Sequence, residues 1–407
     1  MAAPRAESAA SAKIPGTVWA LGVVSLLMDV SSEIVHSLLP LFLVSGMGVS
    51  ALAVGLIEGA AEATASITKL FSGALSDRAG RRKPLVLLGY GLSALTKPVF
   101  ALAPSVGWVV GARVTDRLGK GIRGAPRDAL VADVTPGALL GAAYGLRQSL
   151  DTVGAFAGPL LAILIMGLTG EAYRTAFWIA GIPAALAVAL ILFGVREPET
   201  SKAGNAKGTA LDLAEIRRLG PAYWGAVSVA VLMTLARFSE AFLLLRAESV
   251  GMTATFVPMI LVVMNVVYAG AAYPVGRLSD RLGRRRLLGA GIAVLAAADA
   301  TLALAPGVWA VLGGVALWGL HMGMTQGLLA ALVAEAAPPP LRGTAFGLLH
   351  FLSGIALFAA SLLAGWLWAL LGPAATFGAG ALFTTLALLA LLLFREDRSA
   401  STRRIQS

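Results

Sequence analysis

Twelve apolar runs of roughly 20 residues each recur along this chain, separated by short polar or Gly/Pro connections. No pattern constrains a fold more tightly. Hydrocarbon offers the backbone no hydrogen-bond partner, so a chain with such runs must satisfy its amides internally, as helices. The runs fall near 16–44, 51–75, 85–103, 107–135, 142–168, 173–195, 221–245, 253–276, 287–305, 307–336, 342–371 and 373–394. Composition agrees, with 57% hydrophobic and 13% charged residues, against about a quarter charged in soluble domains. The expected fold is an all-α membrane protein of twelve transmembrane helices.

The stretch "VREPETSKAGNAKGTALDLAEIRRLG" is the one long polar connection, and it divides the chain in two. The expected organisation is a tail over 1–15, a six-helix bundle over 16–195, a linker over 196–220, a second six-helix bundle over 221–394 and a tail over 395–407. The net charge of +10 does not point to nucleic acid, because the bases sit in short connections instead of on a soluble module. "SDRAGRRK", the linker, "GRLSDRLGRRR" and "REDRSASTRR" all fall on one side when twelve spans are counted, so both termini are expected in the cytoplasm. With no cysteine there is no disulfide or thiolate site, and nothing at the N-terminus reads as a cleavable signal.

The halves repeat. "GALSDRAGRR" at 73–82 matches "GRLSDRLGRR" at 276–285 at eight of ten positions, each after the second run of its half. "ADVTPGALLGAAYGL" after the fourth run is answered by "AEAAPPPLRGTAFGL" after the tenth. Two such pairs imply duplication, with two pseudo-symmetric bundles related by an axis along the membrane normal.

These residues resemble the major facilitator superfamily, whose signature G-x-x-x-D-R-x-G-R-R is present as Gly73, Asp77, Arg78, Gly80, Arg81 and Arg82. The resemblance implies a cytoplasmic latch in which Asp77 and Arg81 work with Asp133, echoed by Gly276, Asp280, Arg281, Arg284 and Glu335. The family's fourth-span signature is similar to Arg117, Lys120 and Gly121, with lysine in place of the usual glutamine. "GAFAGPLLA" is similar to the fifth-span antiporter motif through Gly154, Gly158 and Pro159, without its closing glycines. The resemblance covers nearly the whole chain and implies a secondary active transporter that works by alternating access.

Within the fourth run, "TDRLGKGIRGAPRDA" packs six charges into a membrane segment. On a helical wheel, these and Arg113 fall within an arc of about 140°, a stripe that a solvated loop has no reason to keep. Arg117 then lies roughly 15 Å below the start of the helix, where a bare charge is costly and partners are expected. The first run offers Asp29, Glu33 and His36 on one face, the second Glu58, Glu62 and Lys69, and the fifth Arg147 and Asp151. Lys97 stands in the third. Proton coupling is expected at Asp29, Glu33, Glu62 and Asp151. The substrate-lining set is His36, Glu58, Lys69, Arg113, Asp116, Arg117, Lys120, Arg123 and Arg147, with Arg237, Glu240, His321, Gln326 and His350 from a more apolar second half.

The expected protein is a proton-coupled exporter of a polar, anionic or zwitterionic small molecule, a metal chelator or its complex included. It would be a monomer in a bacterial-type inner membrane, whose partners are the bilayer, the solute and protons, without nucleic acid, cofactor or bound metal. Alternatives from the same residues are a multidrug antiporter for lipophilic cations held by Asp29 and Glu33, and a metal-ion exporter using Asp29, Glu33, His36 and His321. An enzyme or non-transporting receptor has less behind it. No nucleophile–base motif or P-loop occurs, and the outer connections are short.

Overall fold

The computed structural model describes residues 14–79, 81–136, 139–197, 219–337 and 341–393, and among them every regular element is a helix. The helices are α1 (Gly16–Leu41), α2 (Ala51–Ala79), α3 (Lys83–Leu102), α4 (Val106–Val134), α5 (Leu140–Thr169), α6 (Tyr173–Gly194), α7a (Pro221–Ala236) and α7b (Ala241–Ser249). They continue as α8 (Met259–Leu282), α9 (Arg284–Leu304), α10 (Val308–Ala336), α11 (Arg342–Leu371) and α12 (Pro373–Leu393). Eleven of the twelve expected spans are thus single helices, with α1 running on into one wider turn over Phe42–Gly46.

The seventh span is the exception. The run over 221–245 reads as continuous, but α7a stops at Ala236 and α7b begins at Ala241. No proline or glycine stands at the gap, so the cause is tertiary. The Phe238 ring is drawn inward against Phe242, Trp318 and Phe377 at 5.5, 5.8 and 5.3 Å. Ser239 then starts the second piece, its Oγ accepting the amide of Ala241 at 3.3 Å while its own amide donates to Ser361 Oγ at 3.2 Å.

The described residues fall into two compact units. One takes the chain up to Leu43, resumes at Thr64 as far as the linker, and includes Ala254–Met259. The other takes Val44–Ala63, the residues after the linker to Thr253, and the chain from Ile260. The division runs through α2. In the first unit, Val18, Leu21, Met28, Tyr90, Ala184 and Ile191 share one apolar core. In the second, Met233, Leu288, Ile292, Ala387 and Leu391 share another.

Among the described residues ten spans, α7a and α7b counted together as one, are long and apolar enough to cross a membrane. α4 is outside that set because of its charges, and α8 because only Met259–Ala272 of it is apolar. Lipid does not drive helices together as water does, so close packing by small residues carries the association. α3 and α4 meet at Gly89 and Gly119, where a Cβ on Gly89 would fall 2.6 Å from the Gly119 carbonyl oxygen. α5 ends at Gly170, whose φ of 65° is the left-handed turn that a residue with a Cβ adopts at a cost.

Candidate functional site: a charged helix and its partners

The charged stretch of the fourth span is helical throughout, and the helices around it hold its charges. Arg113, Asp116, Arg117 and Arg123 are all buried. Lys97 of α3, fully buried, donates to Asp116 at 3.0 Å. Arg123 donates to Ser93 Oγ at 2.6 Å and stacks over the Tyr90 ring at 4.5 Å. Arg127 reaches Ser25 of α1 at 2.9 Å and pairs with Asp128 at 3.1 Å. Asp128 also meets Arg147 of α5 at 3.4 Å, and Arg147 holds Asp151 at 2.9 Å. Lys120 is the exposed base of the stripe. Gly121, the glycine of the fourth-span signature, lets α2 approach, since a Cβ there would lie 2.8 Å from the Ala65 carbonyl oxygen.

The acids of α1 owe their position to α5. A Cβ on Gly154 would fall 2.8 Å from Asp29 Cβ, and one on Gly158 would fall 2.5 Å from Glu33 Cβ and 2.9 Å from the Val30 carbonyl oxygen. Two glycines one turn apart on α5 thus face two acids one turn apart on α1. Glu33 and His36 approach to 3.4 Å. The charges that act on Asp29 are those of Asp151, Lys120, Arg123 and Arg127, and those on Glu33 include Lys120 and Arg117. The first unit therefore brings together Asp29, Glu33, His36, Arg117, Lys120, Arg123, Arg147 and Asp151. Lys69 is exposed on its part of α2. Glu58, fully buried, and Glu62 lie on the half of α2 that belongs to the second unit. That half packs on α11, where a Cβ on Gly59 would fall 3.1 Å from the Phe358 carbonyl oxygen and one on Gly365 would fall 2.7 Å from that of Ala51.

In the second unit Arg237 lies within electrostatic reach of Glu240, Tyr268 and His321. Arg237 and Glu240 flank the gap in the seventh helix. His321 is fully buried, with Nδ1 at 2.8 Å from the Gly291 carbonyl oxygen. That carbonyl can only accept, so Nδ1 carries the proton and Nε2 is left as an acceptor with no partner among the described residues. Gln326 is exposed and accepts from Tyr268 at 3.1 Å, and His350 is exposed. Among the described residues no three His, Asp or Glu side chains gather as a metal site would require.

At the cytoplasmic latch expected from the resemblance, the base that meets Asp133 among the described residues is Arg82. Arg82 Nε lies 2.5 Å from Asp133 Oδ2, and its Nη1 donates to Ser76 at 3.1 Å. Arg82 stands at the start of α3 and turns inward, whereas Arg81 is exposed in the connection. Glu197 accepts the backbone amides of Arg82 and Lys83, and Lys83 Nζ caps the last carbonyls of α6 at Leu192 and Val195. The side chains of Gly73, Asp77, Arg78, Gly276, Asp280, Arg281, Arg284 and Glu335 lie outside the described residues.

The profile of the Major Facilitator Superfamily matches residues 21–247 and again 229–406. The chain belongs to the Major Facilitator Superfamily. An uncharacterised transporter of this type from Methanocaldococcus jannaschii is 31% identical over 382 residues, covering 92% of this chain and 94% of its own. A gentisate transporter of Corynebacterium glutamicum is 28% identical over 396 residues, covering 94% and 88%. The crystal structure of the nucleoside transporter NupG is similar in fold, with a TM-score of 0.74 at 12% identity over 93% of this chain and all of that one.

As a member of this superfamily the chain is a multi-pass membrane protein and a secondary transporter, not an enzyme. Its lipid-embedded helices carry a small-molecule substrate. Sequence reasoning passed over three buried positions of the second unit: Phe238, Trp318 and Asp299. Phe238 and Trp318 read as ordinary apolar residues until the seventh helix breaks around them. Asp299 had a legible signal, a lone acid inside "VLAAADATLALAP".

Proposed function

We propose that this transporter is a proton-coupled exporter of a polar, anionic or zwitterionic solute, metal chelators and their complexes included. It works as a monomer by alternating access in a bacterial inner membrane, with both termini cytoplasmic. The observation that carries the reading is the pairing of α1 with α4 inside one unit. Asp29 and Glu33 stand among Lys120, Arg117, Arg123 and Arg127 in a segment that spans the membrane. An acid so placed binds a proton when its bases are drawn to another anion, and yields it when they return. A solute carboxylate is such an anion, so the solute and the ionised acid compete for the same bases. The gentisate transporter among the relatives favours an acidic solute. Lipophilic cations are favoured less, because Asp29 and Glu33, the acids that would hold them, already stand among Lys120, Arg117, Arg123 and Arg127.

Purified protein in liposomes with an imposed pH gradient tests this, with gentisate and a hydroxylated chelator as probes and a pH dye recording proton flux. Solute flux should follow the gradient in the wild type. Asp29→Asn and Glu33→Gln should each abolish pH-driven flux, while at least one retains solute counterflow. Full proton coupling in both single variants would remove α1 from the mechanism and sink the reading.

A further inference from the structure

Among the acids of the second unit, Asp299 is unlike any that the reading above uses. It is fully buried on α9, five residues from the helix end at Leu304, or about 7.5 Å along the axis. Its Oδ2 lies 3.3 Å from Thr384 Oγ of α12, and its Oδ1 has no partner among the described residues. Gly380 makes the place, since a Cβ there would stand 2.9 Å from Oδ2 and 3.1 Å from Oδ1. The carboxyl therefore lies flat against the α12 backbone.

The Thr384 hydroxyl has one proton and two neighbours. It lies 2.9 Å from the Gly380 carbonyl oxygen, which can only accept, and that contact is shorter than the one to Asp299. With its proton given to Gly380, the hydroxyl has only lone pairs to offer Asp299. Two acceptors do not bond, so while the hydroxyl serves Gly380 a bond between Thr384 and Asp299 requires the proton to be on the acid.

The charged groups around it leave the acid without a base. α12 has no titratable residue, and α10 carries only His321, committed to Gly291, and Glu335, whose side chain is outside the described residues. The arginines of α9 stand at its other end. On α7b, Glu248 is bound to Ser45. Arg246 directs Nε to the Leu302 carbonyl at 2.9 Å, Nη2 to that of Ala305 at 2.7 Å and Nη1 to Ser249 at 3.2 Å.

The duplicated half sharpens the contrast. Lys97 and Asp299 each stand four residues before an Ala-Leu-Ala-Pro, at matching positions of the third and ninth helices. Each has a glycine of the sixth helix of its half over it: a Cβ on Gly181 would lie 3.8 Å from Lys97 Cβ, as one on Gly380 would meet Asp299. Lys97 has Asp116 as its counter-charge. Asp299 has none among the described residues, and an unpaired charge in hydrocarbon is what proteins avoid by binding or releasing a proton.

We propose that Asp299 is a proton-binding site of the second unit, separate from the acids of α1, held as a carboxylic acid between α9 and α12 and exchanging its proton with water. The step is a plain proton transfer. The acid O–H bond breaks, water takes the proton, and the Thr384 hydroxyl turns from Gly380 to donate to the carboxylate.

Infrared spectroscopy of the full-length protein in lipid nanodiscs at neutral pH reads this directly, without a transport substrate. The wild type should show a protonated-carboxyl carbonyl band above the amide region that is lost in Asp299→Asn and moves down on transfer to heavy water. In Thr384→Val the band should persist but move up, having lost its acceptor. This assigns the band even if Asp299→Asn does not fold. A spectrum in which neither variant alters any such band would mean an ionised Asp299, and the proposal falls. A band that heavy water does not move would make Asp299 a sealed structural acid, which overturns it equally. None of these outcomes depends on whether Asp29 and Glu33 couple transport.

Discussion

Lys97 and Asp116 show what a single residue costs in this setting. Their contact of 3.0 Å joins α3 to α4 where neither side chain reaches water. Lys97→Met leaves Asp116 buried beside Arg113 and Arg117, which soften the loss, so the expected cost is about 3 kcal/mol. The double variant Lys97→Met with Asp116→Leu removes both charges and should recover most of it, because a buried pair adds little over apolar packing of the same volume. Thermal unfolding in detergent of the two singles and the double checks the cycle. Equal losses that simply add would mean that the two residues act independently. Residue-scale chemistry also explains the glycines of the fifth span. Their spacing on α5 copies that of Asp29 and Glu33 on α1, so the motif acts through the acids that it lets in.

At the scale of elements, the gap between α7a and α7b is held by aromatic packing and one serine. Ser239 Oγ accepts the Ala241 amide at the start of α7b, so Ser239→Ala should cost about 1 kcal/mol, while the bond from its own amide to Ser361 is kept. A melting measurement reads that loss. The same variant should slow solute flux in liposomes, because a broken helix whose ends are free of hydrogen bonds is where a membrane transporter can hold or release a polar group. Unchanged melting would show that Phe238 and its ring neighbours hold the gap unaided. α4 is the opposite case, an unbroken helix that hydropathy alone would not place in a membrane. It is tolerated there because Ser25, Tyr90, Ser93, Lys97 and Arg147 meet its charges from three other helices.

For the whole molecule, duplication has supplied two copies of one plan with different chemistry. Where the first half has Lys97, Asp116, Arg117 and Lys120, the matching positions of the second are Asp299, Trp318, Gly319 and Met322. One half is thus rich in paired charge and the other in aromatic rings and single buried polar groups. The proposed orientation is open to a direct check, since the chain has no native cysteine. Arg81→Cys should react with a membrane-impermeant maleimide only in inverted vesicles, and Ser105→Cys only in intact cells. The opposite pattern would invert the topology and place the arginine-rich connections outside.

The sequence by itself determined the environment, eleven of the twelve helices to within a few residues except for α8, which lies further along the chain at both ends, and the internal repeat. Each of these follows from local or periodic physics: the length of an apolar run, the demand that a backbone in lipid bond to itself, and the recurrence of a motif. It also determined that the fourth span is a helix with a single charged stripe. Only the tertiary structure decided which partner each charge takes, because pairing depends on helix rotation and close approach, which no local pattern carries. Arg82, which caps the start of α3, meets Asp133, while Arg81 beside it is exposed. Glu58 and Glu62 share a helix face with Lys69, yet they lie in the other unit because the division runs through α2. The seventh helix breaks at Arg237–Glu240 for the sake of rings contributed by α7b, α10 and α12, none of which its own residues announce.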